Sequence, residues 1–368
     1  MKIKKYFIYS FLIALSLIII LFFISKNEKK ERNDIKIGAI LPLTGGAADA
    51  GKFTKFGIDL AVEEINKNGG IIGDSLFVIY EDSKADPKTG VSGVTKLISQ
   101  DKVNYIIDNS ISAVTLAVAP IINSNNCVLI STGGSSPEIT KAGKNIFRIW
   151  NSDYEEANAM ARFSIDSLQL KNILIVYTND EYGNGLKKSY ISNADNKINI
   201  KEIAVNTNVD ISLILLNDLK YYEAIYIIGH SASTIQIIKK VIQNGFNGCF
   251  LGTSVMLDPI IQKEFINLKQ VLYYPVPKTQ SSENSEFIKF SKLYMNKYKN
   301  NPVPLSDVGY DAVMLFYKAI NKNKIDKYGS VINYFNKREN IIGASGNIQF
   351  DENGDVHKEI TIIKFKNK

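Results

Sequence analysis

The chain has 368 residues, 45% of them apolar and 22% charged. That balance suits folded globular domains and excludes a disordered polymer, and the length exceeds what one core commonly organises, so two domains are expected. The formal charge of +7 does not mark a nucleic-acid binder: part of the excess sits at the ends (Lys2, Lys4, Lys5, Lys364, Lys366, Lys368), and no basic stripe interleaves with aromatics.

Taken in chain order, the first signal is Lys2, Lys4 and Lys5 before an uncharged run from Tyr6 to Ser25. A basic flank and such a run form an export signal, and at about 20 residues the run can cross a bilayer. Its end, Phe22-Phe23-Ile24-Ser25, lacks the small residues a signal peptidase requires, so an uncleaved anchor with the rest of the chain outside is expected; the alternative is a cleaved, soluble product. With no cysteine in or just after the run, a lipid anchor is not expected. Lys26 to Asp34 reads as a polar tether.

Short apolar runs then alternate with helical spacing. Strand Ile35–Leu41 leads through a Gly-rich loop to a helix closed by Gly69-Gly70; strand Leu76–Tyr80 precedes a helix from Pro87 to Ser99; strand Val103–Ile107 precedes one over Ala113–Ile122; strand Cys127–Ile130 opens a Ser/Gly loop. This rhythm builds a parallel sheet with helices on both faces. It restarts with helix Asp153–Leu168, strand Ile173–Tyr177, helix Gly185–Asn193, strand Ile198–Val205, a helix around Leu213–Leu219, strand Ala224–Ile228, helix Ser233–Asn244 and strand Cys249–Leu251. Helical patterns follow at Ser285–Tyr298, Ser306–Asn321 and Tyr328–Phe335, and a hairpin of Asn347–Phe350 with Glu359–Phe365 closes the chain. Cys127 and Cys249 read as buried thiols in different domains, not as a disulfide.

Gly46 to Lys52 has the G-x-x-x-x-G-K skeleton of a phosphate loop, but Phe53 stands where magnesium coordination requires a hydroxyl. Nucleotide binding there is the minor alternative to a turn that lets a ligand approach the backbone. With two histidines, His230 and His357, and no metal or nucleophile motif, no catalytic constellation, cofactor or metal is expected. The polar loops are placed otherwise. Asn109-Ser110-Ile111-Ser112 and Gly133-Gly134-Ser135-Ser136 follow strands and precede helices, where doubly wound sheets bind ligands and helix N–H groups favour acceptor-rich heads. Such serines also serve as plain helix caps. Tyr182 and His230 follow strands of the second half.

Several segments together resemble the type I periplasmic binding proteins of the leucine/isoleucine/valine-binding family, the solute receptors of ABC importers. They are Ile37 to Gly45, Gly57 to Asn66 with Gly69-Gly70-Ile71, Glu81 to Pro87, Ile130 to Thr140, Phe147-Arg148 with Asp153, Tyr182 to Gly185, Gly309 to Ala312 and Gly346 to Asp355. The resemblance implies two doubly wound α/β lobes joined by three hinge crossovers near Asn151, Pro275 and Ile342. Residues 1–34 would be signal and tether, 35–151 with 276–342 the first lobe, and 152–275 with 343–368 the second. It further implies an extracytoplasmic, non-enzymatic protein that closes on a small polar solute, an amino acid or related carboxylate or amide, and passes it to membrane permease subunits. A sensory receptor without transport would use the same fold. Ser110, Ser112, Gly133 and Ser135 would hold the solute's carboxylate, with Tyr182, His230 and Ser254 on the opposite wall. The family's ammonium-binding acid is replaced here by Thr253-Ser254, so a solute without a free α-ammonium is expected, unless Asp153, Glu155 or Asp311 serves instead.

Overall fold

The computed structural model describes residues 34–365 except 207–218, 267, 279–283 and 325–326. The N-terminal run and most of the helix expected around Leu213–Leu219 lie outside these residues. Among the described residues no helix is long and apolar enough to cross a membrane.

The first unit is a five-stranded parallel sheet in the order β2-β1-β3-β4-β5, made of β1 (Ile35–Leu41), β2 (Leu76–Asp82), β3 (Tyr105–Asp108), β4 (Val128–Ser131) and β5 (Ile146–Arg148). Helices α1 (Ala48–Lys67), α2 (Pro87–Ser99) and α3 (Ser112–Ser124) are its crossovers. All residues of β3 and β4 are buried, as expected of strands covered on both faces. Ile40, Ile106 and Leu129 face a core with Val94 and Val118 of α2 and α3, whereas Ile37, Ile107 and Ile130 face a larger core on the other side. Local chemistry starts α2: Asp86 accepts from Thr89 N at 2.7 Å and Pro87 occupies the first turn.

The second unit repeats the plan with β6 (Asn172–Thr178), β7 (Asn199–Val205), β8 (Ala224–Ile228), β9 (Cys249–Leu251), β10 (Leu272–Pro277) and, later, β13 (Ile360–Phe365), in the order β13-β10-β9-β8-β6-β7. Its helices are α4 (Asp153–Arg162), α5 (Glu181–Ala194), α6 (Ser231–Gln243) and α7 (Pro259–Phe265). β10 was not expected, because two prolines in six residues argue against a strand. It pairs with β9 only through Leu272 and Tyr273. Pro275 and Pro277 aim their N–H-free nitrogens past the end of β9, so no ladder bond is lost.

After β10 the chain returns to the first unit as α8 (Ser285–Tyr298), α9 (Ser306–Asn323) and α10 (Tyr328–Phe335). Helices α1 and α9 approach closely at two glycines. A Cβ on Gly57 would lie 1.8 Å from Ser306 O, and one on Gly309 would lie 2.3 Å from Thr54 O. The C-terminal hairpin differs from the expected one. β11 (Ile341–Gly343) pairs with β12 (Gly346–Ile348), and β13 pairs instead with β10 in antiparallel register. Ile348, Phe350 and Val356 are buried in the core of the first unit. Hence the third crossing falls between Val356 and Ile360, not near Ile342, because the apolar side chains just after β12 find their core on the first sheet. Cys127 and Cys249 are free thiols, one in each unit.

Candidate functional site

Loops at the carboxyl ends of the two sheets enclose a cleft of about 350 Å³. Ser110, Ser112, Gly133 and Ser135 line it from the first unit, and Tyr182, His230 and Ser254 from the second. Much of the remaining wall is apolar, including Phe53, Trp150, Ile235, Val255 and Leu305.

The first wall is built from buried polar groups. Asp108 ends β3, is fully buried, and accepts from Ser110 N at 3.0 Å and Thr115 Oγ1 at 2.5 Å; burial nevertheless lifts its pKa to about 6. Ser110 Oγ donates to Ser83 Oγ at 2.8 Å. Ser112 Oγ accepts from the backbone N–H groups of Ser135 and Ser136, at 3.2 and 3.1 Å. Both lone pairs are thereby used, which leaves its hydroxyl hydrogen to donate into the cleft. The N-terminus of α3, which has no side-chain cap, opens at the same place, so this wall suits a carboxylate or other acceptor head. Gly133 is dictated by packing: a Cβ there would lie 2.5 Å from Asn109 Oδ1. Arg148, fully buried, donates to the carbonyls of Ser135 and Ser136 and fixes this loop from behind.

The second wall has a different character. Tyr182 lies in the first turn of α5, its ring stacked on His230 with centroids 5.3 Å apart. Asp180 caps α5 by accepting from Gly183 N at 2.8 Å, and its other oxygen is 3.2 Å from His230 Nε2, off the axis of a hydrogen bond. Ser254 N donates to Glu156 Oε1 at 3.0 Å. Glu156 and Asp153, on the inner face of α4, are only 3% and 1% exposed. Neither Asp153 oxygen has a well-aligned hydrogen-bond partner, nor have the hydroxyls of Tyr182 and Tyr226. Burial raises Glu156 to about 7 and raises Asp153 well above the carboxylate range, with Glu156 adding to the latter. Immediately behind Ser135, Tyr182 and Ser254 the chain thus stores two buried carboxyl groups that have no salt-bridge partner among the described residues, although the Arg148 charge partly offsets Asp153.

Glu156 escaped the sequence reading. Its signal was its place one helical turn after Asp153, which puts both on one face of α4. Asp258 was also missed; it lines the cleft, accepts from Ser231 Oγ at 2.6 Å and caps α7. Of the acids weighed as ammonium partners, Asp153 alone stands beside the cleft. Asp311 is bound to the backbone N–H groups of Ala344 and Ser345 at the β11–β12 turn, and Glu155 lies at the hinge. The phosphate-loop alternative fails on geometry. α1 begins at Ala48, so Gly51 and Lys52 are helical, and Gly51 packs where a Cβ would lie 2.3 Å from Pro42 O.

The family model for periplasmic binding proteins matches residues 34–368. The Leu/Ile/Val-binding protein homolog 3 of Brucella melitensis is 31% identical over 171 residues, which are 46% of this chain and 46% of that protein. For the Leu/Ile/Val-binding protein BraC3 of Rhizobium johnstonii the identity is 32% over 158 residues, 43% of each. The chain thus spans just under half the length of these curated relatives. The leucine-binding protein LivK of Thermotoga maritima superimposes with a TM-score of 0.83 at 26% identity, covering 90% of this chain and 96% of that one. LivJ of Streptococcus pneumoniae, solved with isoleucine, gives 0.81 at 21% identity over 91% and 97%.

Proposed function

The chain belongs to the periplasmic binding protein family, and from that membership we propose that it captures one small solute between its two units outside the cytoplasm and delivers it to the membrane subunits of an ABC importer, without catalysing a reaction. The observation that carries this reading is the cleft itself: seven residues from five separate loops, four of them serines, line one cavity. In the first unit, the hydroxyls of Ser112 and Ser135, the Gly133 backbone and Ser110, once its hydroxyl turns from Ser83 to the solute, hold the carboxylate. In the second, Tyr182, His230 and Ser254 form the closing wall. Curated relatives named Leu/Ile/Val-binding proteins support an amino-acid solute, and the apolar lining suits a branched side chain.

The loop after β9 holds Thr253-Ser254 where the resemblance led us to expect an acid. Asp153 and Glu156 offer that missing acid from α4, ionising when an ammonium arrives beside them, so this reading replaces the expectation of a solute without an ammonium. Calorimetry with leucine and its matched 2-keto acid tests it. Leucine is expected to bind at least about tenfold more tightly, since the ammonium satisfies buried acceptors that a ketone leaves unpaired; equal or tighter keto-acid binding would overturn it. The Tyr6–Ser25 run is proposed to anchor the protein uncleaved. Detergent should therefore be needed to release a full-length mass from the membrane fraction, and a soluble product starting near Lys26 would count against the anchor.

A further inference from the structure

Two of the three crossings between the units are tied together by side chains. Asn151, on the first, donates from Nδ2 to Lys358 O on the third at 2.7 Å and to Glu155 Oε2 at 2.6 Å. The other Glu155 oxygen meets His357 Nδ1. His357 Nε2 lies 3.2 Å from Asp351 Oδ2. Glu155 belongs to α4 in the second unit, whereas Asp351 lies in the turn after β12, in the first. Asp351 is itself fixed, because its Oδ1 accepts from Asn353 N at 2.8 Å and Asp355 N at 2.9 Å. The imidazole therefore spans the hinge between two carboxylates that are held by different units.

Both contacts need a ring N–H. A neutral imidazole carries one, so only the protonated ring can donate to both carboxylates at once. The Glu155 hydrogen bond raises the His357 pKa, partial burial opposes it, and Asp351 adds to the rise. The neighbouring charges are engaged elsewhere. Asp355 is paired with Arg148. Lys358 turns inward, its Nζ donating to Ser345 O at 2.9 Å and Oγ at 3.0 Å, and burial lowers it to about 8 against the opposing pull of Asp311 and Asp307.

We propose that His357 is a positioning residue for solute capture: its protonated ring clasps Glu155 and Asp351 across the hinge, and loss of the proton frees one carboxylate and loosens the arrangement in which the cleft residues face one another. This rests on the reading of the cleft as a solute trap. The sign follows from the raised pKa: the contribution is complete at low pH and is lost as pH rises through the raised value. Capture should then be tighter in mildly acidic surroundings.

Trp150 is the sole tryptophan and lines the cleft beside the first crossing, so its fluorescence reports hinge geometry without a solute. In the full chain carrying Glu156→Gln, so that this carboxyl with its pKa of about 7 does not titrate alongside, the emission should step with a midpoint above that of a free histidine. The leucine dissociation constant should rise about two- to fivefold across the step, the range expected of an exposed ion pair. His357→Gln should abolish the step, and Asp351→Asn should shift its midpoint downward. His230→Gln, which removes the other histidine, should retain it. A step that survives in His357→Gln, or an Asp351→Asn variant that titrates like the parent, overturns the clasp. If leucine fails to bind while the step is present and vanishes in His357→Gln, the clasp stands and the solute reading falls.

Discussion

Replacing Asp355 by asparagine is expected to lower folding stability by about 3–5 kcal/mol, the cost of leaving a buried charge without its partner. Arg148 is fully buried; its Nε and Nη2 reach the two Asp355 oxygens at 2.9 and 2.7 Å, and Nη2 also donates to Thr140 Oγ1 at 3.0 Å. Its Nη1 meets the carbonyls of Ser135 and Ser136, at 3.1 and 2.9 Å. The pair thus connects the strand end at β5, the turn after β12 and the serine loop of the cleft. Substituting Arg148 and Asp355 together by methionine and leucine should cost less than Asp355→Asn alone, because no ion is then stranded. Urea denaturation of the single and double variants decides this, and a double variant less stable than the single would refute it.

The second large effect concerns Glu156, where binding and stability should move in opposite directions. Its pKa of about 7 in the folded chain lies above the ordinary 4.5. A carboxyl raised in this way stabilises the fold fully below the unfolded value, and that contribution is lost as pH rises through about 7. Glu156→Gln keeps an acceptor for Ser254 N and removes the charge. Without solute it should be more stable than the parent by about 3 kcal/mol above neutral pH and no different near pH 4. Its affinity for leucine should fall about 10- to 100-fold, the loss of one buried acceptor for an ammonium. Superimposable melting-temperature profiles of the two proteins across pH would refute the stored strain. Unchanged leucine affinity would remove Glu156 from recognition.

The alternation of apolar runs and helical spacing located most of the strands and helices, because runs such as Ile35–Leu41 and Ala224–Ile228 have the length and β-branched content of buried strands. The loops that follow strands made the serines, Tyr182 and His230 legible as one wall each. What remained hidden was set by contacts between distant segments. The prolines of β10 disguised a strand whose main partner, β13, was more than eighty residues away. Nothing local distinguishes Asp351, held in its own turn, from a surface acid that His357 could ignore. Glu156 read as one more charge on an amphipathic helix, since its meeting with Ser254 depends on how α4 lies against the loop after β9.

The three crossings also impose an order of assembly. The first unit opens the chain, yet its sheet is capped by α8, α9 and α10 and its core is filled by Ile348, Phe350 and Val356. The second unit, begun later, needs only β13 from that late stretch. During synthesis the β1 sheet must wait, with one apolar face open, while the other unit is made and largely folded. The unit begun first therefore cannot close until the other is nearly complete, and the hazard of early aggregation falls on the surface that α1 presents to the still unmade α9. The two glycines at that crossing leave backbone to meet backbone, which makes the late docking of α9 the step that commits both units to one protein.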